Sequence, residues 1–305
     1  MKNGGAGARI SLLLLFAFLI FHFSSAFGQA GRRQRPVGEG ASALNVVATR
    51  EGESTEAITM TQLAFYENGV EQTIKSFVPD PSPARIVLLV DNSLTLRADV
   101  DRLEAAAREF AYEIYEGDKL LVVGYDNDAG IVADWTDDAK KLEVSLKAFR
   151  KQGEPHLFDA LNAVANEALL PLAASSTKRV IIVISDGLDR GSKAKFEQTL
   201  SALQAQDIAV YLLQAPDRTG GALRRDQPKP VQVIEKLAEG TGGRVFPVNE
   251  PRTAAAAICD ELRKNRYILS YYPSSASYLE ARRLLIVPDP GINVRFKTFQ
   301  PPSVK

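Results

Sequence analysis

Arg85-Ile86-Val87-Leu88-Leu89-Val90-Asp91-Asn92-Ser93-Leu94-Thr95 is the stretch that decides the fold. Five apolar residues run without alternation, which suits a strand buried on both faces in the middle of a parallel sheet. At its end the oxygen-bearing residues Asp91, Ser93 and Thr95 alternate with Asn92 and Leu94, and a helical pattern follows. In open α/β sheets this carboxyl edge is where ligands bind. A tight turn there can point three hard oxygen donors the same way, a set that suits Mg²⁺, Ca²⁺ or Mn²⁺ better than softer metals.

The following segments are in the order a doubly wound sheet needs. Val100, Leu103, Ala107, Phe110, Ala111 and Ile114 recur at helical spacing and predict an amphipathic helix ending near Gly117. Residues 120–125 and 130–135 predict two strands joined by Asp126-Asn127-Asp128-Ala129. Residues 157–172 predict a helix rich in alanine and leucine, and residues 208–213 another buried strand. Alternating strands and helices over this length predict an α/β, doubly wound, mostly parallel (Rossmann-like) sheet.

A second strand-to-turn match lies downstream, where Arg179-Val180-Ile181-Ile182-Val183-Ile184 runs into Ser185-Asp186-Gly187-Leu188-Asp189. The two turns together resemble those of von Willebrand factor type A (VWA) domains. The first resembles the family's Asp-x-Ser-x-Ser metal-ion-dependent adhesion site (MIDAS), with Thr95 in place of the second serine. The resemblance covers residues 85–264 and implies Asp91, Ser93, Thr95 and Asp186 as metal residues, the last often acting through water. One departure stands out. The family draws a threonine from a Gly-Gly-Thr-like turn opening a helix, whereas here Gly153-Glu154-Pro155-His156 puts Pro155 at that position. Proline has no side-chain oxygen and no N–H, and Glu154 is the one nearby substitute.

The flanks extend the resemblance. Leu63 to Ile74 is expected to form two short strands around Asn68-Gly69, a strong hairpin signal. After the domain come Tyr267-Ile268-Leu269-Ser270-Tyr271-Tyr272-Pro273, residues 283–287 and Val294-Arg295-Phe296-Lys297. A Tyr-Glu-Asn-Gly hairpin before the domain and a Tyr-Tyr-Pro strand after it are similar to the acidobacterial-type VWFA-related domain family. Neither flank can bury a face alone, so the two are expected to pair into one small β module. The expected divisions are 1–30 signal peptide, 31–42 leader, 43–80 amino-terminal β segment, 85–265 VWA domain and 266–300 carboxyl-terminal β segment, with Pro79-Asp80-Pro81-Ser82-Pro83 a stiff linker.

Each motif also has a plainer reading. Asp and Ser after a strand serve equally as N-cap and Asx-turn residues, and Asp128 and Asp189 are expected to be solvated turn residues. The basic loop of residues 215–226 is expected on the same edge as Asp91 and Asp186, either as an insertion without contacts or as a recognition element for an acidic partner.

Lys2 and Arg9 precede a 14-residue apolar run, 10–23, followed by Ser24-Ser25-Ala26 and Gly28-Gln29-Ala30. This is the pattern of a secretory signal peptide, and the run is short of the roughly 20 residues of a spanning helix. The chain is therefore expected to be exported, periplasmic or extracellular, and to meet a membrane only if that segment stays uncleaved. No cysteine follows the run, which excludes a lipoprotein anchor there. Cys259 is the single cysteine, so no intrachain disulfide forms, and its helix favours a buried thiol.

With 37 basic and 37 acidic residues the chain has no excess charge to point to nucleic acid. Beyond the signal segment, His156 is the single histidine, which excludes a histidine-rich zinc site. No Gly-x-Ser-x-Gly elbow accompanies it, and no glycine-rich nucleotide-binding run appears. Phosphoryl transfer of the haloacid dehalogenase type needs a second aspartate where Ser93 stands. The expectation is a non-enzymatic protein that mediates adhesion or protein–protein interaction, with a divalent cation taking a partner's Asp or Glu carboxylate. The alternative is a structural or scaffolding component of a cell-envelope assembly with a degenerate, metal-free site.

Overall fold

The computed structural model describes residues 42–52, 56–147, 149–173, 175–217, 228–273 and 280–302. The expected signal peptide and most of the 215–226 loop lie outside these residues. No helix among the described residues is long and apolar enough to cross a membrane.

The described residues open with β1 (Ser42–Arg50), β2 (Leu63–Glu67), β3 (Val70–Gln72) and β4 (Ile74–Pro79). An α/β domain follows, made of β5 (Ala84–Asp91), α1 (Val100–Glu113), β6 (Lys119–Tyr125), β7 (Ala129–Thr136), α2 (Ala139–Leu146) and α3 (Leu157–Ala163). It continues with β8 (Lys178–Ser185), α4 (Phe196–Ala205), β9 (Ala209–Gln214), α5 (Pro230–Thr241), β10 (Val245–Pro247) and α6 (Pro251–Lys264). The described chain closes with β11 (Arg266–Tyr271), β12 (Arg282–Pro288), β13 (Ile292–Phe296) and β14 (Phe299–Gln300).

The domain's sheet has the order β10-β9-β8-β5-β6-β7 and is parallel except where β6 meets β7. Strand β5 sits at its centre, which is why its apolar run does not alternate. Ile86, Leu88 and Val90 pack into the layer of α1, α2 and α6, while Val87 and Leu89 pack into the layer of α3, α4 and α5. Cys259 is buried in the first layer, and burial pushes its thiol pKa up. The helix expected over 157–172 is one helical run that changes character: α3 passes into a π segment at Val164–Leu169 and a 3-10 turn at Leu170–Leu172, where Pro171 stands.

The flanking strands form two four-stranded antiparallel sheets, β13-β1-β11-β4 and β14-β12-β2-β3. They share a core of Leu44, Val46, Phe65, Leu269, Tyr271 and Ile286 among others, so the β module is a full sandwich and larger than two paired hairpins. Asn68 and Gly69 turn the β2–β3 hairpin at φ 51° and 80°. That hairpin ends at Gln72, because after Thr73 the chain crosses to the other sheet as β4. The expected linker is also shorter: Pro79 closes β4, and buried Asp80 accepts hydrogen bonds from Ser82 N and Oγ, at 3.0 and 2.6 Å. The sandwich is braced against the domain where Arg295 pairs with Glu261 and donates to Gly243 O at 2.9 Å. Lys297 pairs with Asp207 close by.

Within the sandwich, Arg282 and Glu67 form a buried ion pair at 2.7 Å, their side chains 6% and 3% exposed. Tyr271 adds a hydrogen bond to Glu67 at 3.0 Å. Arg282→Met leaves a buried carboxylate without its cation and is expected to cost about 3–5 kcal/mol, whereas adding Glu67→Leu recovers much of that loss. Urea unfolding of the parent and both variants measures this, and equal stability of the parent and the single variant would refute it.

Candidate functional site

Strand β5 ends at Asp91 because the next residues turn back on its carboxylate. Ser93 donates from its backbone N and from Oγ to Asp91 Oδ1, at 3.0 and 2.5 Å. This is an Asx turn, and it brings Ser93 Oγ to 3.4 Å from Thr95 Oγ1. The geometry thus joins Asp91, Ser93 and Thr95 in one short row. Asp91 and Ser93 are wholly buried.

The neighbouring strand β8 supplies the other wall. Val90 pairs with Ile184, so the residue that comes level with Asp91 is Ser185. Ser185 Oγ donates to Asp91 Oδ2 at 3.2 Å, receives Tyr125 OH at 2.9 Å and accepts Gly187 N at 3.0 Å. Asp186 is buried one residue further on, and its Oδ1 accepts Leu188 N at 3.1 Å in a second Asx turn. Ser185, from the middle sheet position, and Tyr125, from the end of β6, are the members that motif reading missed. Cross-strand register was the signal that pairs them with Asp91.

The third loop is tied into this edge by its backbone. Leu94 N donates to Gly153 O at 3.2 Å, Gln152 N to Asn92 O at 2.9 Å and Arg190 N to Pro155 O at 2.8 Å. Gly153 has φ 58°, and a Cβ there would lie 2.1 Å from Asn127 Oδ1, so only glycine fits. Pro155 is buried in the turn. Glu154 turns away toward solvent and meets Arg190 Nη1 at 3.4 Å. Asn92 holds the loop from the β5 side, donating to Arg150 O at 2.9 Å, while its Oδ1 is buried without a hydrogen-bond partner among the described residues.

Asp189 departs from expectation. It is 4% exposed, and its Oδ1 accepts Phe158 N at 3.2 Å and Ser192 Oγ at 2.5 Å. Asp159 reciprocates by accepting Lys193 N and Ala194 N, both at 2.9 Å. Asp189 therefore clamps the start of α3 to the loop after β8, because the open N–H groups of that helix need a buried acceptor. Asp128 is exposed, as expected. His156 precedes α3 with its ring tip over Gly191, where a Cβ would come within 2.1 Å of Nε2.

The donor chemistry fits a hard divalent cation in part. Asp91, Ser93 and Thr95 offer carboxylate and hydroxyl oxygens in one row, Asp186 stands on the adjoining turn, and Pro155 brings no side-chain oxygen. Among the described residues no group of three or more His, Cys, Asp or Glu side chains is placed to hold a metal.

Comparison with known proteins gives three findings. Residues 86–188 match the family model described as von Willebrand factor type A domain. No curated protein matches this chain in sequence. Solved structures similar to it include an aerotolerance-related membrane protein from Bacteroides fragilis bearing multiple mutations to serine, 18% identical, covering 59% of this chain and 99% of that one with a TM-score of 0.47. A von Willebrand factor type A structure from Catenulispora acidiphila is 10% identical, covering 82% and 74% with a TM-score of 0.49. Proximal thread matrix protein 1 from the mussel byssus, with a zinc-occupied MIDAS motif, is 12% identical, covering 63% and 48% with a TM-score of 0.47. The two aspartate turns at the carboxyl ends of β5 and β8 both fall within residues 86–188, the segment that is similar to a von Willebrand factor type A domain.

Proposed function

We propose that this chain is an exported, non-catalytic interaction protein that binds a protein partner at the Asp91 edge through a weak, incomplete divalent site. The observation that carries this reading is the row of Asp91, Ser93 and Thr95 oxygens at the carboxyl end of the central strand. A divalent cation such as Mg²⁺, Ca²⁺ or Mn²⁺ would be held there by Asp91, Ser93 and Thr95, with Asp186 behind. The cation supplies an open coordination position for a partner's Asp or Glu carboxylate, an attraction that is strong in a partly desolvated cleft. Ser185 and Tyr125 orient the Asp91 carboxylate from the far side, as outer-shell partners do. Export follows from the amino-terminal pattern of Lys2, Arg9 and the apolar run to Phe23. The Asn68-Gly69 hairpin and the strand ending at Tyr271 support narrower membership of the acidobacterial-type VWFA-related proteins.

Pro155 favours a second reading, in which the edge is metal-free and the protein is a structural part of an envelope assembly. Shape and backbone hydrogen bonds would then carry the contact, and the sandwich would be the lasting interface.

Thermal melts with and without millimolar Mg²⁺, Ca²⁺ or Mn²⁺ separate the two. With a dissociation constant of about 1 mM, 10 mM cation stabilises the protein by roughly 1.4 kcal/mol, a rise of a few degrees. Asp91→Ala and Asp91→Asn are expected to abolish that increment, whatever they do to the baseline stability. A melt unmoved by all three ions would sink the cation reading.

Pro155→Thr restores a hydroxyl to the third loop and is expected to tighten Mn²⁺ binding several-fold, as measured by calorimetric titration. Unchanged or weaker binding would mean that the loop stands too far from Asp91 to contribute a ligand.

A further inference from the structure

Across the third loop from the Asp91 turn stands an ion pair that a cation at Asp91 leaves unused. Arg190 Nη1 lies 3.4 Å from Glu154 Oε1, and the two side chains are 29% and 52% exposed. A charge-assisted hydrogen bond between a guanidinium and a carboxylate closes to about 2.7–2.9 Å and is frequently doubled. Here there is one long contact. Neither side chain has another hydrogen-bond or ion-pair partner among the described residues. The Nε of Arg190 is buried, whereas Nη2, also without a partner there, stays within reach of solvent, so a ligand meets the outer end of the group.

The two partners are held differently. Arg190 is fixed by its backbone, whose N donates to Pro155 O at 2.8 Å, and by Asp189 before it, which accepts Phe158 N and Ser192 Oγ. Glu154 is anchored through its N to Asn127 Oδ1 at 3.2 Å, and its carboxylate turns toward solvent. The same loop reaches the Asp91 turn, where Leu94 N donates to Gly153 O. The other carboxylates after β8 are turned onto backbone N–H groups, Asp186 onto Leu188 and Asp189 onto Phe158. Glu154 is thus the one acid that faces the guanidinium, and an exposed pair of this kind is weak. An incoming carboxylate displaces it at little cost. Arginine suits that exchange, because its charge is permanent and its planar fork matches a carboxylate.

We propose that Arg190 receives a partner's Asp or Glu carboxylate at this edge without a metal, and that Glu154 is an internal stand-in released when the partner docks. The inference rests on reading this edge as a protein-binding surface and is independent of whether a cation sits at Asp91. With Pro155 offering a cation no side-chain oxygen, the positive charge that meets the partner is carried by the protein itself.

Nuclear magnetic resonance of the ¹⁵N-labelled full chain in EDTA, titrated with glutarate against chloride at constant ionic strength, tests this. The expected result is a saturable shift of the Arg190 Nε–H resonance and of the Glu154 and Arg190 backbone amides, half complete in the millimolar range. Glu154→Gln removes the internal competitor at a half-exposed position and is expected to tighten glutarate binding about two- to five-fold. Arg190→Met is expected to abolish the response of the Glu154 amide. A titration without saturation, a response that survives in Arg190→Met, or an affinity unmoved by Glu154→Gln would each overturn the proposal. Should Arg190→Met not fold, the parent and Glu154→Gln decide between them. Because EDTA removes divalent ions, a silent titration leaves the cation melts at Asp91 to be judged on their own, and melts that fail leave this titration unaffected.

Discussion

Everything at the candidate edge depends on a carboxylate with no exposure to solvent. Asp91 ends the central strand where both helix layers still cover the sheet, so its oxygens must be satisfied by protein. Ser93 meets that need from the following turn and Ser185 from the neighbouring strand. Tyr125 and Gly187 then tie Ser185 to β6 and to its own turn. A single buried charge thereby fixes the relative positions of three strand ends, and a cation or a partner would meet an edge already assembled. Such preorganisation lowers the ordering cost of binding.

The loops above that edge are held by backbone more than by side chains. Gly153 O, Asn92 O and Pro155 O each accept a hydrogen bond from a different loop. Loops joined in this way keep their geometry when side chains change, so the edge holds its shape with a proline at position 155. The Asp189 and Asp159 clamps extend the same logic to the start of α3.

Much of the fold was legible in residue order. The unbroken apolar runs before Asp91 and Ser185 marked strands covered on both faces, and the amphipathic spacing from Val100 marked α1. The row of Asp91, Ser93 and Thr95 was legible too, because one tight turn makes it. Ser185 was not, because its part is set by the register between β5 and β8, which no local pattern encodes. Asp189 was misjudged for a related reason: a carboxylate in a glycine-bearing turn looks solvated until the start of α3 is brought over it. The sandwich was underestimated because β1 carries only a weak alternation in Leu44, Val46 and Ala48, and its partners lie at the far end of the chain.

Strands β4 and β11 are hydrogen-bonded neighbours, Tyr267 against Pro79 through Tyr271 against Ile74, yet the entire α/β domain lies between them in sequence. The domain is thus an insertion between two adjacent strands of one sheet, with its entry and exit held about 4.8 Å apart. For the unfolded chain, bringing those strands together means closing a very long loop. Once the domain has folded, its own ends present β4 and β11 side by side, so most of that closure entropy has already been spent. The order of assembly is therefore written into the connectivity: the inserted domain forms the template, and the surrounding sandwich zips up on it.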